Sequence, residues 1–151
     1  MIRGVKFKIP QKCGKSLWQI LSCIDITKYD WHYVDSQSEI CGAKWGTEFF
    51  DKKIYDGESF LKQIQNDHYI VFLKLQAYFK GESYCEIHSY SDFVKSDCQI
   101  VVLICDCEFV DIYLKDNELC KKLYENALKD NYSDIDYITD ENDERTGFDV
   151  L

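Results

Sequence analysis

Hydrophobic and polar positions change their period several times along the 151 residues, and each change marks an element. In RGVKFKI, residues 3–9, Val5, Phe7 and Ile9 alternate with Lys6 and Lys8, the period-two pattern of a half-buried strand, which Pro10 ends. Leu17, Ile20, Leu21 and Ile24 then recur at helical spacing behind Ser16, with Gln19 as the second half of a capping box. Tyr29 to Val34 and Glu39 to Trp45 predict two short strands joined by a turn at DSQS. Asp56 is placed to cap a helix through Phe60, Leu61 and Ile64. In HYIVFLKLQAYFK, residues 68–80, Val71, Leu73, Leu75, Ala77 and Phe79 line one apolar face, while Lys74 and Gln76 turn one end of the other face toward water. Lys80 to Ser83 reads as a turn into a short strand, Tyr84 to His88, and SYSDFVKSD as a single helical turn.

Ile100 to Cys105 is an unbroken apolar run, rich in β-branched residues and too short for a helix, so it predicts a strand covered on both faces. Val110, Ile112 and Leu114 alternate with Phe109, Asp111 and Tyr113, which leaves Asp106, Cys107 and Glu108 for a tight hairpin connection. Asp116 caps the clearest helix, whose stripe is Leu119, Cys120, Leu123, Tyr124, Ala127 and Leu128; Asn131 stops it, and Ser133 to Thr139 is a last strand. Hairpins mixed with helical crossovers imply a single α+β domain with a mixed, largely antiparallel sheet and about three helices packed on one face.

Composition narrows the function classes. The chain has one proline and seven glycines, no visible linker, and no stretch of 18 apolar residues, which is the profile of a globular protein outside the membrane. The N-terminus lacks a secretory h-region, so a cytoplasmic location is expected, and with it eight reduced cysteines that serve mainly as packing. Of the formal net charge of −9, residues 134–151 carry −6, so the C-terminal end is an acidic pole, and residues 140–151 are expected to be partly mobile. Such a field disfavours nucleic acid and anionic lipid as partners and draws in a basic protein.

Candidate chemistry is sparse. The CDC of residues 105–107 flanks one carboxylate with two thiols, and Cys85 and His88 would complete a Cys₃His set with Cys105 and Cys107. The competing reading is a buried strand end entering a turn with Asp106 as turn former, and no repeated CxxC supports zinc. Asp140, Asn142 and Glu144 alternate like the start of a calcium loop, but Arg145 stands where that loop needs glycine. The better functional reading is a recognition edge in which Asp140, Glu141, Asp143 and Glu144 accept bonds from a partner's Arg or Lys while Arg145 fixes the backbone; a self-contained capped turn remains the alternative. Gly42 to Thr47 falls short of a phosphate cradle, and no cofactor is expected. Trp31, His32 and Tyr33 crowd one strand, and some of the aromatic rings should be partly exposed, as in interfaces.

SDCQIVVLICDCEFVDIYLKD together with YITDENDERTGF, and more faintly RGVKFKIP, resembles a small family of uncharacterised proteins from Gram-positive bacteria, a domain of unknown function. The resemblance implies one intact bacterial domain and assigns no residue a role. The expected function is a non-catalytic, small protein-binding module with an acidic, aromatic-containing surface, of which an inhibitor or immunity protein is one version. The alternative is an enzyme or small-ligand pocket at a sheet end near Asp106, His88 and Cys107. Homo-oligomerisation through an open edge strand fits either.

Overall fold

Residues 1–42 and 45–150 are described by the structure, a computed structural model. Seven strands, β1 (Ile2–Lys8), β2 (Tyr29–Ile40), β3 (Ile54–Tyr55), β4 (His68–Phe79), β5 (Cys98–Cys105), β6 (Phe109–Leu114) and β7 (Ser133–Thr139), form one sheet in the order β3-β2-β4-β5-β6-β1-β7. Every neighbouring pair is antiparallel, so the mixed character expected from the helical crossovers resolves into a wholly antiparallel α+β sheet. β5 sits at the centre with Ile100 to Ile104 buried, as its unbroken apolar run requires.

The first face carries the helices α1 (Ser16–Leu21), α2 (Gly57–Ile64) and α4 (Asn117–Lys129) and a 3-10 turn at Ile26–Lys28. Leu17, Ile20, Phe60, Ile64, Cys120 and Leu123 pack on the strand residues of this face, and Trp31 stacks on Phe60 with ring centroids 4.6 Å apart. Asp56 and Asp116 accept from the backbone N–H groups of Ser59 and Glu118, the caps read from the sequence. Ser16 does not cap α1. The Leu17 N–H is taken instead by Nε2 of the buried His68 at 3.2 Å, while His68 Nδ1 donates to the Asn66 carbonyl at 2.8 Å. A ring that accepts at one nitrogen and donates at the other is neutral, and burial holds His68 below the ordinary histidine value.

Among the described residues the second face has only the short α3 (Tyr90–Lys95) and is otherwise covered by irregular chain. Ile87, Phe93, Phe148 and Val150 bury themselves against Tyr78, Val101, Leu103 and Tyr113 there. The expected water-facing end of β4 is therefore covered, and Lys74 is only 1% exposed. Lys74, Gln76 and Tyr78, alternate residues of β4, hold a strap over the sheet: Lys74 Nζ donates to the Ile87 carbonyl at 2.5 Å, Ile87 N–H donates to Gln76 at 3.0 Å, and the Cys85 carbonyl accepts from both Gln76 and Tyr78 at 2.8 Å. Tyr84 to His88 is thus extended but is no strand, because side chains satisfy its backbone where a neighbouring strand would.

Two further expectations are corrected. Tyr29 to Ile40 is one continuous strand, since Tyr33 pairs Leu75 and Asp35 pairs Lys74, which makes Val34 a bulge in place of a break at DSQS. Of the strand expected at Glu39 to Trp45, Ala43 and Lys44 lie outside the described residues. Cys13 and Cys41 are not reduced but joined in a disulfide, with Cα atoms 6.2 Å apart; six other cysteines are free. The link ties the loop after β1 to the end of β2, two segments 28 residues apart in sequence that flank His68 from two sides, the first through the Gly14 and His68 backbone pair and the second through Ile40 paired with His68. Among the described residues no helix is long and apolar enough to cross a membrane.

Candidate functional site

The acidic end is folded onto the second face. Arg3 is the extra residue of a bulge in β1, since Ile2 pairs Thr139 and Gly4 pairs Ile138. From there its guanidinium donates to Asp140 at 2.9 Å and Asp143 at 3.1 Å and lies 4.0 Å from the centre of the Tyr90 ring. Gly4 beside it permits close approach to β6, because a Cβ at this position would collide with the Ile112 carbonyl. Asp143, with its side chain 5% exposed, also accepts from the Tyr113 hydroxyl and the Arg145 N–H, both at 3.1 Å. Arg145 in turn reaches Asp111 at 3.0 Å. The hydrogen bond from Arg3 holds the Asp140 carboxyl below the usual carboxylate range. Asn142 accepts from Thr139 N–H and donates to the Tyr137 carbonyl, closing the turn. Of the nominated partner-binding residues, Asp140, Asp143 and Arg145 are thereby committed to internal bonds, and Glu141 and Glu144 face solvent.

The CDC motif is a turn. Asp106 and Cys107 have φ of 52° and 68°, and Glu108 N–H donates to the Cys105 carbonyl at 3.3 Å. Cys107 N–H donates to the carbonyl of Val71, itself the extra residue of a bulge in β4. Cys105 accepts a long contact of 3.9 Å from Arg145, and the nearby Cys107 thiol pushes the Tyr69 hydroxyl up from its ordinary value. Cys85 lies in the strap, and His88 projects to solvent, 3.3 Å from Glu86. Among the described residues no group of three or more His, Cys, Asp or Glu side chains is gathered for a metal.

The most developed recognition geometry lies elsewhere, where β2 and β3 meet the strap. His32 stacks on Tyr84 with centroids 4.5 Å apart and planes 5° from parallel, and Tyr78 abuts both rings edge-on from below. With Tyr33, Val34, Lys53, Ile54 and Glu86 they line a groove of about 500 Å³. Tyr84 is 43% and Ile54 59% exposed, although each is apolar enough to be expected inside.

Register explains the charge around it. Directly opposed residues of an antiparallel pair share a face, so Asp30 opposite Tyr78, His32 opposite Gln76 and Asp35 opposite Lys74 all stand on the second face. Three residues apart, His32 and Asp35 would fall on opposite faces of a regular strand; the Val34 bulge brings them together. The Tyr84 hydroxyl is pushed up first by burial, then by Glu86, Cys85 and Asp35, while burial lowers His32 against the opposing pull of Asp30. The groove is thus an aromatic floor in the field of Asp30, Asp35 and Glu86. Lys53 opposes them, its ammonium held 4.6 Å over the Tyr33 ring. The crowding of Trp31, His32 and Tyr33 hinted at this floor, but the sequence carries no signal that Tyr84 meets His32.

Comparison with known proteins places the whole chain. A family model described as a protein of unknown function (DUF2691) matches residues 2–149. The uncharacterized protein YncE of Bacillus subtilis is 37% identical over 153 residues, covering 99% of this chain and all of that protein. No solved structure matches. With a family model spanning both β1 and the acidic turn, and a full-length relative at this identity, the chain belongs to the DUF2691 family.

Proposed function

We propose that the protein is a non-catalytic binding module that meets a basic protein partner through an acidic, aromatic-containing surface centred on the groove between β2, β3 and the strap. The observation that carries this reading is the half-buried His32 stacked on the exposed Tyr84 beside Ile54, with Glu86 in the groove wall and Asp30 and Asp35 on the same face of β2. Exposed aromatic rings supply large contact area at small entropic cost, and surrounding charge sets partner choice and encounter rate more than affinity. Glu141 and Glu144, over the β6, β1 and β7 end of the sheet, form a separate acidic patch on the same face, and Asp140, Asp143 and Arg145 support the backbone that presents them. A cytoplasmic working place belongs to the proposal, with the Cys13 and Cys41 disulfide the one described link that a reducing thiol pool would open.

Zero-length carbodiimide cross-linking in cells that make the protein tests the reading, because it joins carboxylates only to amines in direct contact. Cross-links from carboxylates around the groove, Asp30 among them, to lysines of a second protein, lost when binding is weakened in the Asp35→Asn, Glu86→Gln double variant, are expected. The absence of a cross-linked protein at every surface would overturn it.

A further inference from the structure

We infer that the groove is a receptor for one side chain of the partner, an arginine, whose guanidinium lies flat against the open face of Tyr84 and is bonded at its rim by Asp35 and Glu86. The inference rests on the binding function proposed above and names what the site takes.

Three features converge on a planar cation. One face of Tyr84 is filled by His32 at 4.5 Å, with Tyr78 wedged edge-on beneath the pair, so the ring is held in place, and Tyr84 is 43% exposed in the groove lining. An aromatic ring fixed with an open face is a platform for a flat, weakly hydrated cation, and guanidinium stacks on such faces better than ammonium does. The Val34 bulge puts Asp35 on the same side of β2 as His32, and Glu86 follows Tyr84 by two residues along the strap, so carboxylates border the platform from two different elements. A guanidinium has five N–H donors in one plane, which lets it bond at its edges while it stacks through its face. The third feature is internal: this protein already seats a guanidinium on one of its own rings, Arg3 over Tyr90 at 4.0 Å, while the Lys53 ammonium that lines the groove is held over Tyr33 at 4.6 Å. In the Arg3 case the same guanidinium is also held by two aspartates, Asp140 and Asp143, so one structure shows the stacked and carboxylate-bonded arrangement that the groove offers to a partner. Ile54, 59% exposed beside His32 in the same groove, supplies apolar surface for the aliphatic stem of the arginine.

The test uses the intact protein labelled with ¹⁵N and three pentapeptides that differ only at the centre: acetyl-Gly-Gly-Arg-Gly-Gly-amide, its lysine counterpart and its citrulline counterpart. Citrulline keeps the shape of arginine and removes the charge. The expected result is a saturable shift of backbone resonances of His32, Tyr84, Glu86 and Ile54 with the arginine peptide, weaker by about threefold with lysine and by about tenfold with citrulline. Tyr84→Ala should weaken arginine binding about fivefold, and Asp35→Asn with Glu86→Gln about threefold, with the dispersion of the remaining spectrum unchanged. Because these side chains are at the surface, the conservative pair keeps the test valid if the Tyr84 variant disturbs the strap. Equal shifts with arginine and citrulline would overturn the recognition of charge. Shifts confined to another surface, or none in the groove, would overturn the assignment of the site, and in that case the wider binding function would still stand or fall on the cross-linking.

Discussion

Replacing Phe148 by alanine separates an acidic tail from an acidic segment that is part of the core. Phe148 is 1% exposed, its ring lies 4.5 Å from that of Tyr113, and its N–H donates to the His88 carbonyl at 3.0 Å. A buried phenylalanine removes roughly 150–250 Å² from water. At about 25 cal/mol per Å² that is about 4–6 kcal/mol for the whole side chain. Alanine keeps part of it and leaves a cavity, so a loss of about 3–5 kcal/mol is expected. Urea unfolding reads this directly: with a slope of about 2 kcal/mol per molar, the midpoint should fall by about 1.5–2.5 M. Asp149→Ala, one residue on and exposed, should change stability by less than about 0.5 kcal/mol. A Phe148→Ala midpoint within error of the native one would refute the packing of residues 141–150 on the sheet, and with it the burial that turns Asp140 and Asp143 inward.

Other consequences follow from single features. Protein purified in air and denatured without reductant should show six reactive thiols of its eight cysteines; eight would contradict the Cys13 and Cys41 link. Reducing that link, which closes a 28-residue separation, should cost about 3.5 kcal/mol on the chain-entropy model, seen as a lower urea midpoint shared by Cys41→Ser. Both His68 and His32 are held below the ordinary histidine value, chiefly by burial, so between about pH 6.5 and their folded values the unfolded chain takes up protons that the folded chain does not. Stability should therefore fall as pH drops below about 6.5, and His68→Gln should flatten that slope; an unchanged slope would exclude His68 as a source. Gly4→Ala should be strongly destabilising, since the new methyl would meet the Ile112 carbonyl, and soluble Gly4→Ala protein with a native midpoint would contradict the pairing of β1 with β6.

Elements whose determinants are local were legible in the sequence. α4 needs only its stripe and Asp116, β5 only its apolar run, and the CDC turn only the change of period on either side of Asp106. What could not be read depends on residues far apart in the chain. Asp140 and Asp143 look like free acids until Arg3, 137 and 140 residues away, is placed beside them. Lys74 and Gln76 read as solvent-facing because the strap that buries them bonds through backbone groups, which carry no sequence signal. The bulge at Val34 is a matter of register with β4, and DSQS has the composition of a turn whether or not the strand continues through it. The groove inherits both difficulties, since His32 and Asp35 need the bulge and Tyr84 needs the strap. The disulfide is a third case: Cys13 and Cys41 are brought together by β1, β2 and β4 jointly.

The groove's role as the binding surface is tested most directly by intermolecular nuclear Overhauser effects between the arginine pentapeptide, at saturating concentration, and the protein. The expected result is contact between the arginine side-chain methylene protons and the ring protons of Tyr84, with further contacts to Ile54. Contacts to a different surface at saturation, with the Tyr84 and His32 rings silent, would contradict it.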